Sequence, residues 1–286
     1  MSESCPLCKS ERYRTTYELT GYRIASCLDC GFEYQPGFRG GGEDNGMFSE
    51  DYYRVLQQEA FETQFADYAR DPSADVYRRW LQRIEERIPP GRILDVGSAL
   101  GTFLKIAEGR GWEPQGVEIS TFAAAFAREK RGLPVFNGDL ERFPCEDEAF
   151  DVITFWDSLE HVTHPQENLK KAVRLLRRGG VMLLTTDNFD CLLADTARVA
   201  YRLSFGKIRY PMERVFVEPN RSYFTEKTFR RLLEASGLSI VALEKMEYPL
   251  DKIKTNAVER GILKGFYGVA RLLHRQAQVT VLAEKP

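Results

Sequence analysis

From residue 92 onward the chain alternates short apolar runs with amphipathic stretches of helical period. Apolar runs near 92–96, 113–118, 133–137, 150–156, 180–186, 238–246 and 277–284 predict strands. Between them, apolar residues at i, i+3 and i+4 predict helices over 100–110, 121–131, 165–177 and 226–236. This alternation implies an α/β fold with a doubly wound parallel sheet of seven strands, Rossmann-like in layout. Arg177-Arg178-Gly179-Gly180 reads as a basic helix C-terminal cap, and Gly237 closes the 226–236 helix in the same way. Upstream, Val76, Tyr77, Trp80, Leu81, Ile84 and Ile88 recur at helical spacing. Residues 48–88 therefore read as helices, stopped by Pro89-Pro90-Gly91.

Three segments fall outside the alternation. The first 36 residues are short alternating stretches with cysteines and tyrosines, and Gly37 to Gly46 holds five glycines among charges. The expected organisation is a small N-terminal unit at 1–36, a flexible linker at 37–50 and an α/β domain at 51–286. Residues 188–224 form an insertion rich in Arg, Tyr and Phe, expected to act as a lid over the substrate. Tyr201, Phe205, Tyr210, Phe216 and Tyr223 are candidates for an aromatic wall there, with Arg209, Arg214 and Arg221 as anion ligands. Residues 251–275 carry six Lys/Arg against two acids on a partly amphipathic pattern. They read as a surface helix, with docking to a membrane that carries a lipid-linked substrate as the alternative.

Composition narrows the partners. A net charge of −2 over 286 residues provides no global basic field for nucleic acid or anionic lipid. No apolar run reaches the length of a membrane span. The polar start Met-Ser-Glu-Ser-Cys lacks a signal-peptide core, which together points to a cytoplasmic protein.

Four of the six cysteines stand as Cys5-x-x-Cys8 and Cys27-x-x-Cys30, eighteen residues apart. In a reducing compartment that spacing reads as a four-thiolate zinc site. An iron site and a redox dithiol pair are the alternatives. Four thiolates leave no open position, so the metal is structural. The unit has too little core to fold alone, and metal binding supplies the difference. Gly31 after Cys30 provides a permissive turn. The charges of this unit, Lys9, Arg12, Arg14 and Arg23 against Glu3, Glu11, Glu18, Asp29 and Glu33, sum to −1, which disfavours phosphate binding. A structural or substrate-shaping role follows. Cys145 and Cys191 read as ordinary thiols.

The chemistry concentrates at Ile93-Leu94-Asp95-Val96-Gly97-Ser98-Ala99-Leu100-Gly101, a strand ending in an acid, a tight turn and a helix start. Such a turn brings backbone N–H groups to a ligand at the carboxyl end of a parallel strand. The dinucleotide spacing G-x-G-x-x-G fails at Ala99 and Thr102, whereas G-x-G-x-G fails only at Ala99. An alanine there is tolerated at negative φ and costs about 1–2 kcal/mol at positive φ. Glu118 ends the second strand at the spacing of a ribose-binding acid. Asn137-Gly138-Asp139-Leu140 ends the third, and the fourth runs Phe150-Asp151-Val152-Ile153-Thr154-Phe155-Trp156-Asp157.

These strand ends, with Leu159-Glu160-His161-Val162, His164-Pro165 and Leu175 to Gly180, resemble class I S-adenosylmethionine (SAM) methyltransferases, in particular bacterial small-molecule enzymes such as the ubiquinone-pathway O-methyltransferases. The resemblance is strong over 91–186 and weak over 225–286. It implies SAM as cofactor, with Asp95 and Gly97 on its methionine part, Ala99 and Gly101 in the cofactor-binding turn, Glu118 on the ribose, and Asp139 with Leu140 on the adenine. Phe155, Trp156 and Asp157 would line the cleft beside the methyl group. Departures from the pattern are Ala99, and Ser98 where cysteine is frequent.

Methyl transfer is an in-line displacement, helped by alignment and by a base for an oxygen or nitrogen nucleophile. His161, after the fourth strand, is the candidate base; His164 before Pro165 reads as a capping residue. Asp157-x-x-Glu160-His161 also resembles an acid-x-x-Glu-His metal motif of small-RNA methyltransferases, with one further ligand unidentified. The function expected is methylation of a small-molecule acceptor, foremost O-methylation of a sugar, glycan or metabolite. The alternatives are an RNA methyltransferase that uses the N-terminal unit for recognition, and a SAM-binding protein without catalysis.

Overall fold

The computed structural model describes residues 3–37, 67–217, 220–250 and 257–286. Most of the expected linker, and the part of the helical stretch 48–88 before residue 67, lie outside them. No described helix is long and apolar enough to cross a membrane.

The N-terminal unit holds β1 (Tyr13–Glu18), β2 (Arg23–Cys27) and β3 (Glu33–Tyr34), all antiparallel. A fourth strand completes this sheet from far along the chain. β9 (Ser222–Tyr223), the end of the insertion, pairs antiparallel with β3 through Glu33–Tyr223 and Tyr34–Ser222.

The large sheet contains β4 (Arg92–Val96), β5 (Glu113–Glu118), β6 (Val135–Asn137), β7 (Phe150–Trp156), β8 (Leu176–Asp187), β10 (Ser239–Met246) and β11 (Gln278–Glu284). Its order is β10-β11-β8-β7-β4-β5-β6, which is 3-2-1-4-5-7-6 when its strands are counted along the chain and read from the β6 edge. All seven expected strands are present. The expected all-parallel direction fails at β11, which runs antiparallel to both β8 and β10. Apolar runs report burial on both faces and carry no signal of direction.

Helices cover both faces. The described helices are α1 (Ala74–Glu85), α2 (Thr102–Glu108), α3 (Thr121–Arg131), α4 (Pro165–Leu175), α5 (Leu192–Leu203), α6 (Tyr210–Val215), α7 (Glu226–Ala235) and α8 (Ala257–Leu272). Three starts have a clear local cause. Ser120 caps α3 by accepting from the Ala123 N–H at 3.3 Å. Thr225 and Thr228 form a reciprocal capping box at α7. Pro165 sits at the first turn of α4, where its missing N–H costs nothing.

One boundary differs from expectation. The helix expected over 165–177 stops at Leu175, and Leu176 to Gly180 belong to β8. The glycines there are strand residues: the Gly179 N–H donates to Lys285 O and the Lys285 N–H to Gly180 O. Arg177 has left the helix end to pair with Asp151 at 2.5 Å.

One core face joins α1, α2 and α3 to the sheet through Trp80, Leu81, Ile84, Phe103 and Leu104. The other joins α4 and α7 to the sheet, and it is continuous with the N-terminal unit through Cys5, Cys27, Phe32 and Tyr34. Phe32 packs on Phe224 at 5.2 Å between ring centroids, and both are fully buried. Burying such a side chain is worth roughly 1.5–3 kcal/mol, so a few of these contacts suffice to dock the small unit onto the large one.

The insertion's aromatic residues serve this docking. Phe216 and Tyr223 pack with Tyr17, Ile24 and Phe189 in a small core of their own. The Tyr201 hydroxyl bonds the backbone of Glu18. Phe205 and Tyr210 project into solvent, 92% and 71% exposed. The aromatic wall expected over the substrate is not formed by these residues.

Candidate active site

The large sheet reverses its order at β4, whose neighbours are β5 on one side and β7 on the other. Ligands of open α/β sheets sit at the carboxyl ends of the strands flanking such a switch point. A cleft of about 570 Å3 lies there, lined by the ends of β4, β5, β6 and β7 and by the start of α1.

The turn after β4 is tight for identifiable reasons. Gly97 and Gly101 have φ of 78° and 81°, in the left-handed region that favours glycine. A Cβ on Gly97 would lie 2.5 Å from Ser158 Cβ, and one on Gly101 2.5 Å from Leu133 Cδ1. Ala99 also has a positive φ, 47°. Of the two cases the costly one holds, and the alanine carries about 1–2 kcal/mol. Its N–H donates to Glu118 Oε2 at 2.7 Å, which ties the strained residue to the end of β5.

Glu118 is buried, and its second oxygen accepts from the Ser120 N–H at 2.8 Å. Burial pushes its carboxyl above the ordinary range, against the pull of those backbone donors. Asp95, equally buried, is pushed up to about 7 by burial, while the Thr154 hydroxyl donates to it at 2.7 Å. The Tyr77 hydroxyl is driven upward by burial and then by the Asp71, Asp95 and Asp157 carboxylates. The cleft lining is rich in acids, with Asp71, Asp139, Glu141 and Asp157 beside Asp95 and Glu118, and among the described residues it contains no lysine or arginine.

The remaining candidates divide. Asp139 and Leu140 line the cleft, and Asp139 also caps the turn at Leu140–Arg142 by accepting from the Arg142 N–H at 2.9 Å. Trp156 and Asp157 line it, but Phe155 does not. Strand alternation turns Phe155 into the core, fully buried, away from the cleft. His161 lines the cleft from a 3-10 turn after β7. His164 occupies the cap position of α4, but its side chain makes no capping bond.

Tyr77, Asp71 and Ser73 line the same cleft and were not legible as site residues. The Tyr77 ring meets Trp156 at 4.7 Å and Phe103 lies 5.3 Å from Trp156, so α1 and α2 close one wall. In sequence Tyr77 is one more apolar-face residue of a helix. Two buried polar atoms in the lining, Ser98 Oγ and Trp156 Nε1, have no partner. Both atoms are sealed from the open cleft, and Ser98 Oγ faces Gly116 of β5.

A family model of a methyltransferase domain matches residues 67–243, well over half of the chain. The chain belongs to this methyltransferase family. An uncharacterized protein of Methanocaldococcus jannaschii is 26% identical over 195 residues, spanning 68% of this chain and 88% of that one. The ubiquinone biosynthesis O-methyltransferase of an Azoarcus species is 28% identical over 177 residues, 57% of this chain and 70% of that one. Among solved structures, a SAM-dependent methyltransferase of Thermotoga maritima, possibly a histamine N-methyltransferase by its description, matches with a TM-score of 0.54 at 21% identity; it covers 82% of this chain and 98% of that one. That likeness is one of fold. The methyltransferase is SAM-dependent.

Away from the cleft, the sulfurs of Cys5, Cys8, Cys27 and Cys30 lie within 4.8 Å of one another. Cys5 and Cys30 approach to 3.6 Å and Cys8 and Cys27 to 3.5 Å, far beyond a disulfide bond. A tetrahedron of Zn–S bonds of about 2.3 Å gives sulfur separations of roughly 3.7 Å, so the cluster has the size of a metal site. The residues after the two pairs, Lys9 and Gly31, share the left-handed conformation, φ 63° and 74°. The glycine was legible as a permissive turn; its lysine counterpart was not.

Proposed function

We propose that this methyltransferase acts on a small molecule, transferring the methyl group to an oxygen of a sugar, glycan or other metabolite. The observation that carries this reading is the cleft, whose volume of about 570 Å3 is within the range of small-molecule sites and whose described lining lacks Lys and Arg. A polyanionic RNA strand needs cations to offset its phosphates.

When bound, SAM supplies a methyl group already activated on a sulfonium centre. The chain's part is to bind, align and move a proton. Asp95 and the Gly97–Gly101 turn hold the amino-acid end. Glu118 accepts from the ribose hydroxyls, and its orientation is fixed by the two backbone donors it already has. Asp139 and Leu140 meet the adenine. Trp156 and Asp157 line the reacting side, and the acidic walls suit a ligand with positive charge. His161 takes the proton of the acceptor hydroxyl. The four cysteines hold one structural zinc, which folds the N-terminal unit.

The test is a screen with methyl-labelled SAM against metabolite, glycan and RNA fractions from the host. Label is expected in the small-molecule or glycan fractions. Label confined to RNA would overturn the reading.

A further inference from the structure

Beside the cleft stands a second convergence of ligand-type side chains. Asp157 ends β7, Glu160 sits in the turn after it, and Asp187 ends β8. The three carboxylates present oxygens within 4.8 Å of one another. The sequence motif pairs Glu160 with His161; the fold instead supplies Asp187.

Glu160 is 2% exposed, and its Oε2 has no hydrogen-bond partner. A buried carboxylate oxygen without a donor is a costly arrangement unless something else meets it. No lysine or arginine pairs with Glu160 or Asp187 among the described residues. Neutral side chains reach Asp187 and Asp157. Asn220 Nδ2 donates to Asp187 Oδ2 at 3.1 Å, the Tyr248 hydroxyl donates to Asp187 Oδ1, and Gln278 Nε2 reaches both oxygens of Asp157 at 3.2 Å. Such donors orient carboxylates, as outer groups do around metal ligands. The Glu160 backbone is itself held, because its carbonyl accepts from the Arg221 N–H at 2.9 Å.

We propose that Asp157, Glu160 and Asp187 bind one hard divalent cation of the Mg2+, Mn2+ or Ca2+ class. All-oxygen donors select these ions over zinc or copper. Metal–oxygen distances of about 2.0–2.6 Å let one ion touch three oxygens that lie this close together. Asp157 also lines the cleft, so an ion held by it borders the acceptor space. There it would bind an acceptor hydroxyl and ease loss of its proton, which favours oxygen acceptors with a second oxygen nearby. This last step rests on the small-molecule reading; metal binding does not.

The experiment uses the full chain with its cysteine site loaded, without SAM or acceptor. Mn2+ is titrated and followed by electron paramagnetic resonance, with a parallel thermal-shift series in Mg2+ and Ca2+. One Mn2+ per chain is expected beyond the metal of the cysteine site, with a rise in Tm. Glu160→Gln and Asp187→Asn should each weaken Mn2+ binding at least tenfold, and His161→Ala should leave it unchanged. Circular dichroism of the near-isosteric variants checks that they are folded. Absence of Mn2+ binding by the wild-type chain up to millimolar concentration would overturn the site, as would binding that survives Asp187→Asn. If Mn2+ binds as stated but methyl label appears only in RNA, the metal site stands and the acceptor reading fails.

Discussion

Arg198 on α5 donates to Glu33 on β3 at 2.8 Å, and the two side chains are only 15% and 17% exposed. The pair ties the insertion to the N-terminal sheet. Removing one partner of a buried pair leaves the other charge uncompensated, typically at about 3–5 kcal/mol. Arg198→Ala should therefore lower the urea midpoint by an amount equivalent to roughly 3 kcal/mol. Adding Glu33→Gln should recover part of that loss, which a double-mutant cycle would read directly.

The turn after β4 gives opposite expectations for adjacent small residues. Gly97→Ala drives a Cβ into Ser158 and should reduce SAM affinity in calorimetry more than tenfold. Ala99→Gly relieves a left-handed alanine and should preserve affinity. Relief of about 1–2 kcal/mol set against the greater unfolded-state freedom of glycine leaves a net gain of up to about 1 kcal/mol.

Asp95 links the cleft to pH. Its carboxyl rises from 3.8 to about 7 in the fold, with burial as the main cause. Between those values the folded protein keeps a proton that the unfolded chain has released. Stability from this group is therefore present at low pH, is lost as pH rises through the window, and levels off above about 7. Asp187, also raised to about 7, acts in the same direction. The cofactor-free Tm should fall between pH 5 and pH 8. Asp95→Asn should flatten part of that slope and raise the Tm at pH 8, while weakening SAM binding.

The cysteine cluster should hold about one zinc per chain by elemental analysis of anaerobically purified protein. Because its residues share a core with Phe224 and Phe229, chelation should lower the Tm of the main transition rather than add a separate early one. A metal-free protein with an unchanged Tm would exclude this structural role.

His161→Ala should lower turnover by about 100-fold or more, while SAM affinity stays within about twofold. Loss of SAM affinity in parallel with turnover would place His161 in cofactor binding instead of proton transfer.

The strands of the large sheet were legible because each is an apolar-rich run bounded by turn residues, and the acids at their ends stand at fixed offsets from Gly97. Strand direction was not, since β11 carries the same apolar signature in either orientation. Tyr77 was hidden for a related reason: a helix residue facing a cleft has the same spacing as one facing a core. Asp187 was hidden because it lies 27 residues beyond Glu160 and meets it only when β8 pairs with β7. The insertion misled because aromatic residues signal burial without saying against what. Phe216 and Tyr223 are buried, but against the N-terminal unit and not over a substrate.

The pairing of β3 with β9 sets an order of events during synthesis. The edge of the small sheet at β3 stays open until Ser222 and Tyr223 emerge, by which time five strands of the large sheet have been made. An unpaired strand edge is a template for wrong partners, so the nascent N-terminal unit passes through translation as an incomplete surface. Its proper closure reports that the chain has been read past Tyr223.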